Sequence, residues 1–265
     1  MTAMVSTAFW SGKAVFVTGG SSGIGRELAI AAARAGGRVG IIARGADRLD
    51  GVAAVIRAAG GTVEAFACDA ADAAASGRSV AALEARLGAC DVAIACAGIH
   101  RTSWPLEATT AREVFDVNVG STVAFLSAVL PGMLARRRGH LCGVASVAAA
   151  VGLPGNAAYC GSKAAIVAFL ESLRIDCRPH GVRVTTACPG FVDTPLVTDE
   201  ERAHGGLMPA DEAAARILAA IERGRAEAWF PWHTALAARA ARLLPPWLRD
   251  RALAAQPPMR DASRR

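Results

Sequence analysis

The sequence predicts an α/β fold, a single domain whose doubly wound parallel sheet lies between layers of helices. Three observations predict it. An apolar run at 14–17 leads straight into Thr18-Gly19-Gly20-Ser21-Ser22-Gly23-Ile24-Gly25, and a helical pattern follows over 26–35. Strand, glycine turn and helix open a dinucleotide-binding βαβ unit. Strand-like runs then alternate with helical patterns through the first half of the chain, which requires crossovers and hence parallel strands. Small or polar residues stand just past several of these runs, where sites gather in such sheets.

The run at 14–17 is rich in β-branched and aromatic residues, as a strand buried on both faces must be. The glycines after it permit a tight turn and close approach to a pyrophosphate, and the helix beyond offers free N–H groups and a positive dipole end. Thr18, Gly19, Ser21, Ser22, Gly23, Ile24 and Gly25 are therefore candidate cofactor contacts. A second strand is expected at 38–43. Where NAD-binding units place an acid to hold the adenosine ribose, this chain has Ala43 and then Arg44. A carboxylate would repel a 2′-phosphate and a guanidinium would pair with it. Ala43-Arg44 thus favours NADP(H) over NAD(H), with Arg48 a second candidate; the alternative is a solvated loop cation.

A helix over 47–59 closes at Gly60-Gly61, and a third strand over 62–67 ends at Cys68-Asp69. Asp69 can accept from the adenine amino group or cap the next helix, over 70–88. The fourth strand, 91–96, ends at Ala97-Gly98, where small residues let a ligand approach the backbone. A long helical region covers 109–138. Asn118 interrupts its apolar stretch, and a buried polar side chain needs partners; a local bend is the alternative. The fifth strand is expected at 140–145 with Ser146 just past its end. A helix over 156–179 follows, then a sixth strand over 183–188 and the loop Pro189-Gly190-Phe191-Val192-Asp193-Thr194. Pro209 opens a further helix to 223, and 226–231 reads as the last strand.

At 265 residues and 53% hydrophobic composition, the chain can bury a sizeable core. The seven cysteines show no C-x-x-C spacing and fall largely in apolar runs. They read as reduced core thiols of a cytoplasmic protein. No apolar run reaches the roughly 18–20 residues of a membrane span, and no secretory leader is evident. Arg136-Arg137-Arg138 is the one dense basic run in a chain of net charge +6. It sits where cations favour a helix C-terminus, so no nucleic-acid partner is expected. Residues 1–11 read as a loose leader.

Tyr159 is the only tyrosine and Lys163 one of two lysines in a chain whose cations are otherwise arginine. On a helix, positions i and i+4 share a face. A nearby ammonium favours phenolate over phenol, which lets a tyrosine give or take a proton near neutral pH. Alone, Y-x-x-x-K is a weak signal.

With these pieces in order, residues 12–231 resemble the short-chain dehydrogenase/reductase family, whose domain is a Rossmann fold. The resemblance rests on Thr18-Gly19-x-x-x-Gly23-x-Gly25, Asp69, Asn118, Ser146 with Tyr159-x-x-x-Lys163, and Pro189-Gly190-x-Val192-x-Thr194. It implies that Tyr159 is the general acid or base and that Lys163 tunes it and holds the nicotinamide ribose. It further implies that Ser146 bonds the substrate oxygen, that Asn118 supports a water-linked proton relay, and that Val192 and Thr194 hold the carboxamide. Ala97 and Gly98 are expected to pass the cofactor by their backbone. One motif departs: the fourth strand reads Ala95-Cys96-Ala97-Gly98, without the asparagine that normally braces the sheet. The family commonly forms dimers and tetramers through the helices at 109–138 and 156–179, so a homodimer or homotetramer is expected.

The polar, Gly-containing segment 195–208 is expected to close over the substrate. Beyond residue 231 the chain exceeds a minimal family core. In this extension, 232–265, Trp232, Leu236, Ala240, Leu243 and Leu244 fall on one helical face, and seven arginines meet two acids. It could pack on the fold or a partner subunit, lie on an anionic membrane, or end in disorder. The expected function is NADP(H)-dependent interconversion of a carbonyl and a secondary alcohol, on a lipophilic small molecule. A lipid-pathway 3-keto reductase and a non-catalytic dinucleotide sensor are the alternatives.

Overall fold

In the computed structural model, residues 5–197, 202 and 206–254 are described. Their strands are β1 (Ala14–Thr18), β2 (Arg38–Ala43), β3 (Thr62–Ala67), β4 (Val92–Ala95), β5 (Gly139–Val144), β6 (Val182–Pro189) and β7 (Glu227–Phe230). They form one sheet in the order β3-β2-β1-β4-β5-β6-β7, with every neighbouring pair parallel. The chain winds outward from β1 to β3, then returns to β4 on the other side of β1. That reversal makes β1 and β4 the switch point, and it opens a crevice at their carboxyl ends.

The helices are α1 (Thr7–Trp10), α2 (Gly23–Arg34), α3 (Ala46–Ala58), α4 (Ala73–Leu87), α5 (Ala108–Phe115), α6 (Ser121–Arg136), α7 (Ala157–Cys177), α8 (Ala210–Glu222), α9 (Trp232–Leu243) and α10 (Pro246–Ala254). Strand side chains alternate between faces, so β1 feeds two cores. Val15 and Val17 pack with Leu28, Leu49 and Ile217 of α2, α3 and α8. Ala14 and Phe16 pack with Leu83, Phe125 and Leu170 of α4, α6 and α7. Every β1 residue is buried, as the apolar run required.

The structure corrects several expectations. The described part of the leader is not loose: Trp10 is fully buried, and its indole N–H donates to Glu222 at the end of α8. The same carboxylate accepts from the Ser6 N–H at 2.8 Å. The long helical region is interrupted by a π-turn, Asp116–Gly120, between α5 and α6. By length and composition alone the run Ala108–Arg136 could cross a membrane. Here one side of it packs against α4, α7, β4 and β5. The three arginines at and just past its end hold neighbouring loops: Arg136 donates to the Cys90 carbonyl, Arg137 to that of Pro179, and Arg138 pairs with Asp91. All seven cysteines are free thiols.

In the extension, the inward side of α9 is made of small residues, with Ala235 buried and Thr234, Ala238 and Ala241 partly so. Trp232, Leu236, Ala240, Leu243 and Leu244, the residues that share one helical face in the sequence, are exposed. α9 lies against β7 and the short turn Val147–Ala149. Close approach to these elements admits alanines and leaves no room for the bulkier stripe.

Candidate active site

The carboxyl ends of the strands open into a cavity of about 560 Å3. Gly19, Ser21, Ser22, Gly23, Ile24 and Gly25 line one side, with Arg44, Arg48 and Asp69 beyond β2 and β3. The turn cannot carry side chains where it folds back on the sheet. At Gly19 (φ +71°) a Cβ would lie 2.9 Å from the Ala97 backbone, and at Gly25 it would lie 2.2 Å from the Gly19 carbonyl oxygen. α2 starts within this lining, and the side chain of its N-cap, Ser22, does not cap it. Its first N–H groups and dipole end thus suit an anionic ligand.

Thr18 sits behind this wall, fully buried. Its Oγ1 accepts from the N–H groups of Cys96 and Ala97 at 3.1 and 3.3 Å. That hydroxyl ties β1 to the exit of β4 where the usual asparagine is missing. Asp69 accepts from the Ala71 N–H at 3.0 Å. The cap of α4 is Asp72, which takes the N–H groups of Ala74 and Ala75, so Asp69 is not the helix cap.

At the other end of the cavity, Ser146 projects from beyond β5 and Tyr159 and Lys163 from α7. The Lys163 Nζ donates to the Val144 carbonyl at 3.0 Å and lies 5.8 Å from the centroid of the Tyr159 ring. Burial pushes Lys163 down from 10.5 to about 8, against an upward pull from Cys96 and Cys188. Both thiols are themselves pushed up by burial to about 12, so desolvation decides the direction. Ser146 accepts from the Ala148 N–H at 3.2 Å, and accepting leaves its own proton to give. Pro189, Gly190, Val192 and Thr194 complete the lining after β6. Val192 bridges to Met208, and Arg202 pairs with Asp193 and donates to the Thr194 carbonyl. Of the expected substrate loop, 198–201 and 203–205 lie outside the described residues.

Asn118 is fully buried in the π-turn and does not line the cavity. Its Oδ1 accepts from the Ile99 N–H at 2.7 Å, and its Nδ2 donates to the Ile99 carbonyl and to Ser162 Oγ. Its own carbonyl accepts from Thr122 Oγ1. The bend and the buried amide are thus one feature, in which the extra residue aims the amide across to β4 and α7. A Cβ on Gly98 would stand 3.1 Å from Asn118 Oδ1 and 3.4 Å from Lys163 Nζ, so Gly98 is held small by the groups packed on it.

His100 was not anticipated in the pocket. Two residues past Gly98, it lies edge-on to Tyr159 with ring centroids 4.7 Å apart. The Asn156 Nδ2 donates to the Pro154 carbonyl, which turns its Oδ1 toward His100 Nε2 at 2.6 Å. His100 must therefore donate from Nε2. The only sequence signal was a histidine at a strand exit, which does not say what it faces. The far end of the cavity was also unanticipated: Val151, Leu153, Leu196 and Val197 meet Ala237, Ala238, Ala241, Ala252 and Leu253 of the extension there.

Residues 13–205 match the family model described as short chain dehydrogenase. The chain belongs to that family. It is 42% identical over 244 residues, 91% of its own length and 96% of the other's, to an uncharacterized oxidoreductase of Myxococcus xanthus. It is 39% identical to the 1-deoxy-11-beta-hydroxypentalenate dehydrogenase of Streptomyces exfoliatus, covering 80% of this chain and 81% of that one. A crystal structure of 3-oxoacyl-[acyl-carrier protein] reductase from Brucella melitensis matches with a TM-score of 0.77 and 26% identity, over 85% of this chain and 91% of that one.

Membership in the short-chain dehydrogenases makes the chain an oxidoreductase acting on hydroxyl or keto groups with an NAD(P) cofactor. The residues fit such a group. The glycine turn forms a cradle that any Cβ at Gly19 or Gly25 would fill, and α2 starts at its edge.

Proposed function

We propose that this short-chain dehydrogenase reduces a lipophilic ketone with NADPH, and reversibly oxidises the corresponding secondary alcohol. The reading is carried by one observation: Ser146, Tyr159 and Lys163 converge on one cavity whose opposite side is the glycine cradle and whose far end is apolar. When bound, the nicotinamide supplies or accepts the hydride. The chain's own residues do the rest. Tyr159 gives its phenolic proton to the substrate oxygen in reduction and takes it back in oxidation. The Lys163 cation favours the phenolate that remains, and the same ammonium has donors to spare for a ribose hydroxyl. Ser146 donates to the substrate oxygen as negative charge grows on it. Asn118 is a positioning residue that fixes Ile99, and through it the strand exit beside the reacting groups.

Arg44 and Arg48 support NADPH over NADH, because both line the adenosine end and Ala43 stands where a ribose-binding acid would repel the 2′-phosphate. The alanines of α9 support a bulky apolar substrate, including a long-chain 3-keto compound. The test is cofactor consumption with ketones of increasing chain length and ring size, using NADPH and NADH, with R44D alongside. Preference for NADPH that R44D reverses, with KM falling as apolar bulk grows, is the expected result. Equal use of both cofactors, or turnover confined to small polar ketones, would overturn it. NADPH binding with no turnover of any carbonyl would favour a sensor.

A further inference from the structure

Exposed large apolar side chains form a rim beside the cavity. Among the described residues, Phe191 and Leu196 are exposed and also line the cavity. Six more exposed large hydrophobics lie between Trp232 and Leu248, on and between the two helices whose alanines and Leu253 line it. α9 carries the clearest part of this rim. With its alanines turned inward, Trp232, Leu236 and Leu243 form one outward stripe and are 73%, 59% and 87% exposed. An amphipathic helix normally buries its large residues and exposes its small or polar ones; α9 does the reverse.

We propose that this rim docks on an anionic phospholipid bilayer, with α9 and α10 lying in the headgroup layer and the cavity mouth facing the lipid. Segment 232–254 holds four arginines against one aspartate, a net +3. Arg239 is engaged by Glu227 and Arg249 by Asp250; Arg242 donates to the Ala150 carbonyl, which leaves its charge unneutralised beside that of Arg251. The sequence beyond 254 adds three arginines and one aspartate. Large apolar residues flanked by arginine, with tryptophan among them, match the apolar and anionic layers of a membrane interface. A second copy of this chain fits less well, because a twofold pairing of the stripe would set one row of arginines against its own copy. The opposite side of the same two helices lines the cavity through Ala238, Ala241 and Leu253. A lipophilic molecule could pass from the bilayer past these helices without crossing water. That purpose rests on the lipophilic reading above, but docking is measured without substrate, so either can fail alone.

The test uses the full chain with sucrose-loaded vesicles of phosphatidylglycerol and phosphatidylcholine, and with vesicles of phosphatidylcholine only. Co-sedimentation with the anionic vesicles should exceed that with neutral ones at least about tenfold and fall with added salt. The triple variant W232S/L236S/L243S should lose at least about tenfold in vesicle binding while keeping the wild-type melting temperature and NADPH affinity. R251E, which leaves both the apolar stripe and the Arg242 contact with Ala150 intact, should also weaken binding. No preference for anionic vesicles, or undiminished binding by both variants, overturns the proposal. Concentration-dependent dimerisation lost in the triple variant, with no vesicle binding by the wild type, overturns it and assigns the face to a second copy.

Discussion

Replacing Lys163 by methionine should separate what the site does from what the fold needs. Lys163 is 6% exposed, and burial lowers its pKa from 10.5 to about 8. At neutral pH both folded and unfolded chains hold the proton, and the folded state bears the full cost of the buried charge. A pKa lowered by about 2.5, at about 1.4 kcal/mol for each, puts that cost at about 3 kcal/mol. Between pH 8 and 10.5 the unfolded chain binds the proton more readily, so the Lys163 contribution to stability rises with pH across that window. Methionine fills similar volume without charge, but it deserts the Val144 carbonyl, which costs about 1–3 kcal/mol. K163M should therefore be no less stable than the wild type at pH 7. The assay is urea denaturation of both proteins from pH 7 to 10.5. Cysteines that stay protonated in the folded core titrate there in the unfolded chain, a contribution common to both proteins that cancels in their difference. Wild-type stability should gain about 2–3 kcal/mol on the variant across the window, while the variant loses turnover. A variant clearly less stable at pH 7, with a parallel pH response, would refute the reasoning.

Three further outcomes follow from the same geometry. His140 is buried against Thr185 Oγ1, and burial, with Arg183 adding to it, lowers its pKa from 6.5 to about 4. The unfolded chain gains the proton first, so about 3 kcal/mol should be lost as pH falls from 6.5 to 4, and H140Q should flatten that loss in acid denaturation. H100A should lower kcat about tenfold by releasing Tyr159 from its ring contact, with H100F restoring part of it and KM moving less. A238W should fill the far end of the cavity and raise KM for long ketones at least about tenfold, with short ones nearly unaffected, in steady-state kinetics.

The sheet was legible because its strands are continuous apolar runs and its turns are punctuated by glycine. Strand ends at Asp69, Gly98 and Ser146 could be placed for the same reason, and the cavity collects these residues with Tyr159 and Lys163. Asn118 was legible as an exception in an apolar stretch, but its partners were not: the π-turn that aims it depends on β4 and α7, both distant in sequence. Thr18 was legible as part of the glycine-turn motif, but not as the hydroxyl that accepts from the N–H groups of Cys96 and Ala97. His100 was hidden because nothing local links a strand exit to the start of α7. Periodicity grouped the large apolar residues of α9 on one face but could not say what that face meets. The short approach to β7 and the turn at Val147–Ala149 turns the alanines inward, and only tertiary packing reveals it. Trp10 escaped notice because a lone tryptophan in a polar leader has no periodic context.

The most direct test of the central claim is single-turnover oxidation of NADPH by wild type and Y159F, with cofactor binding followed separately by fluorescence. The account predicts unchanged NADPH affinity in Y159F and a hydride-transfer rate lower by at least about a hundredfold, in line with the loss of a general acid. A Y159F protein that turns over at the wild-type rate would contradict it.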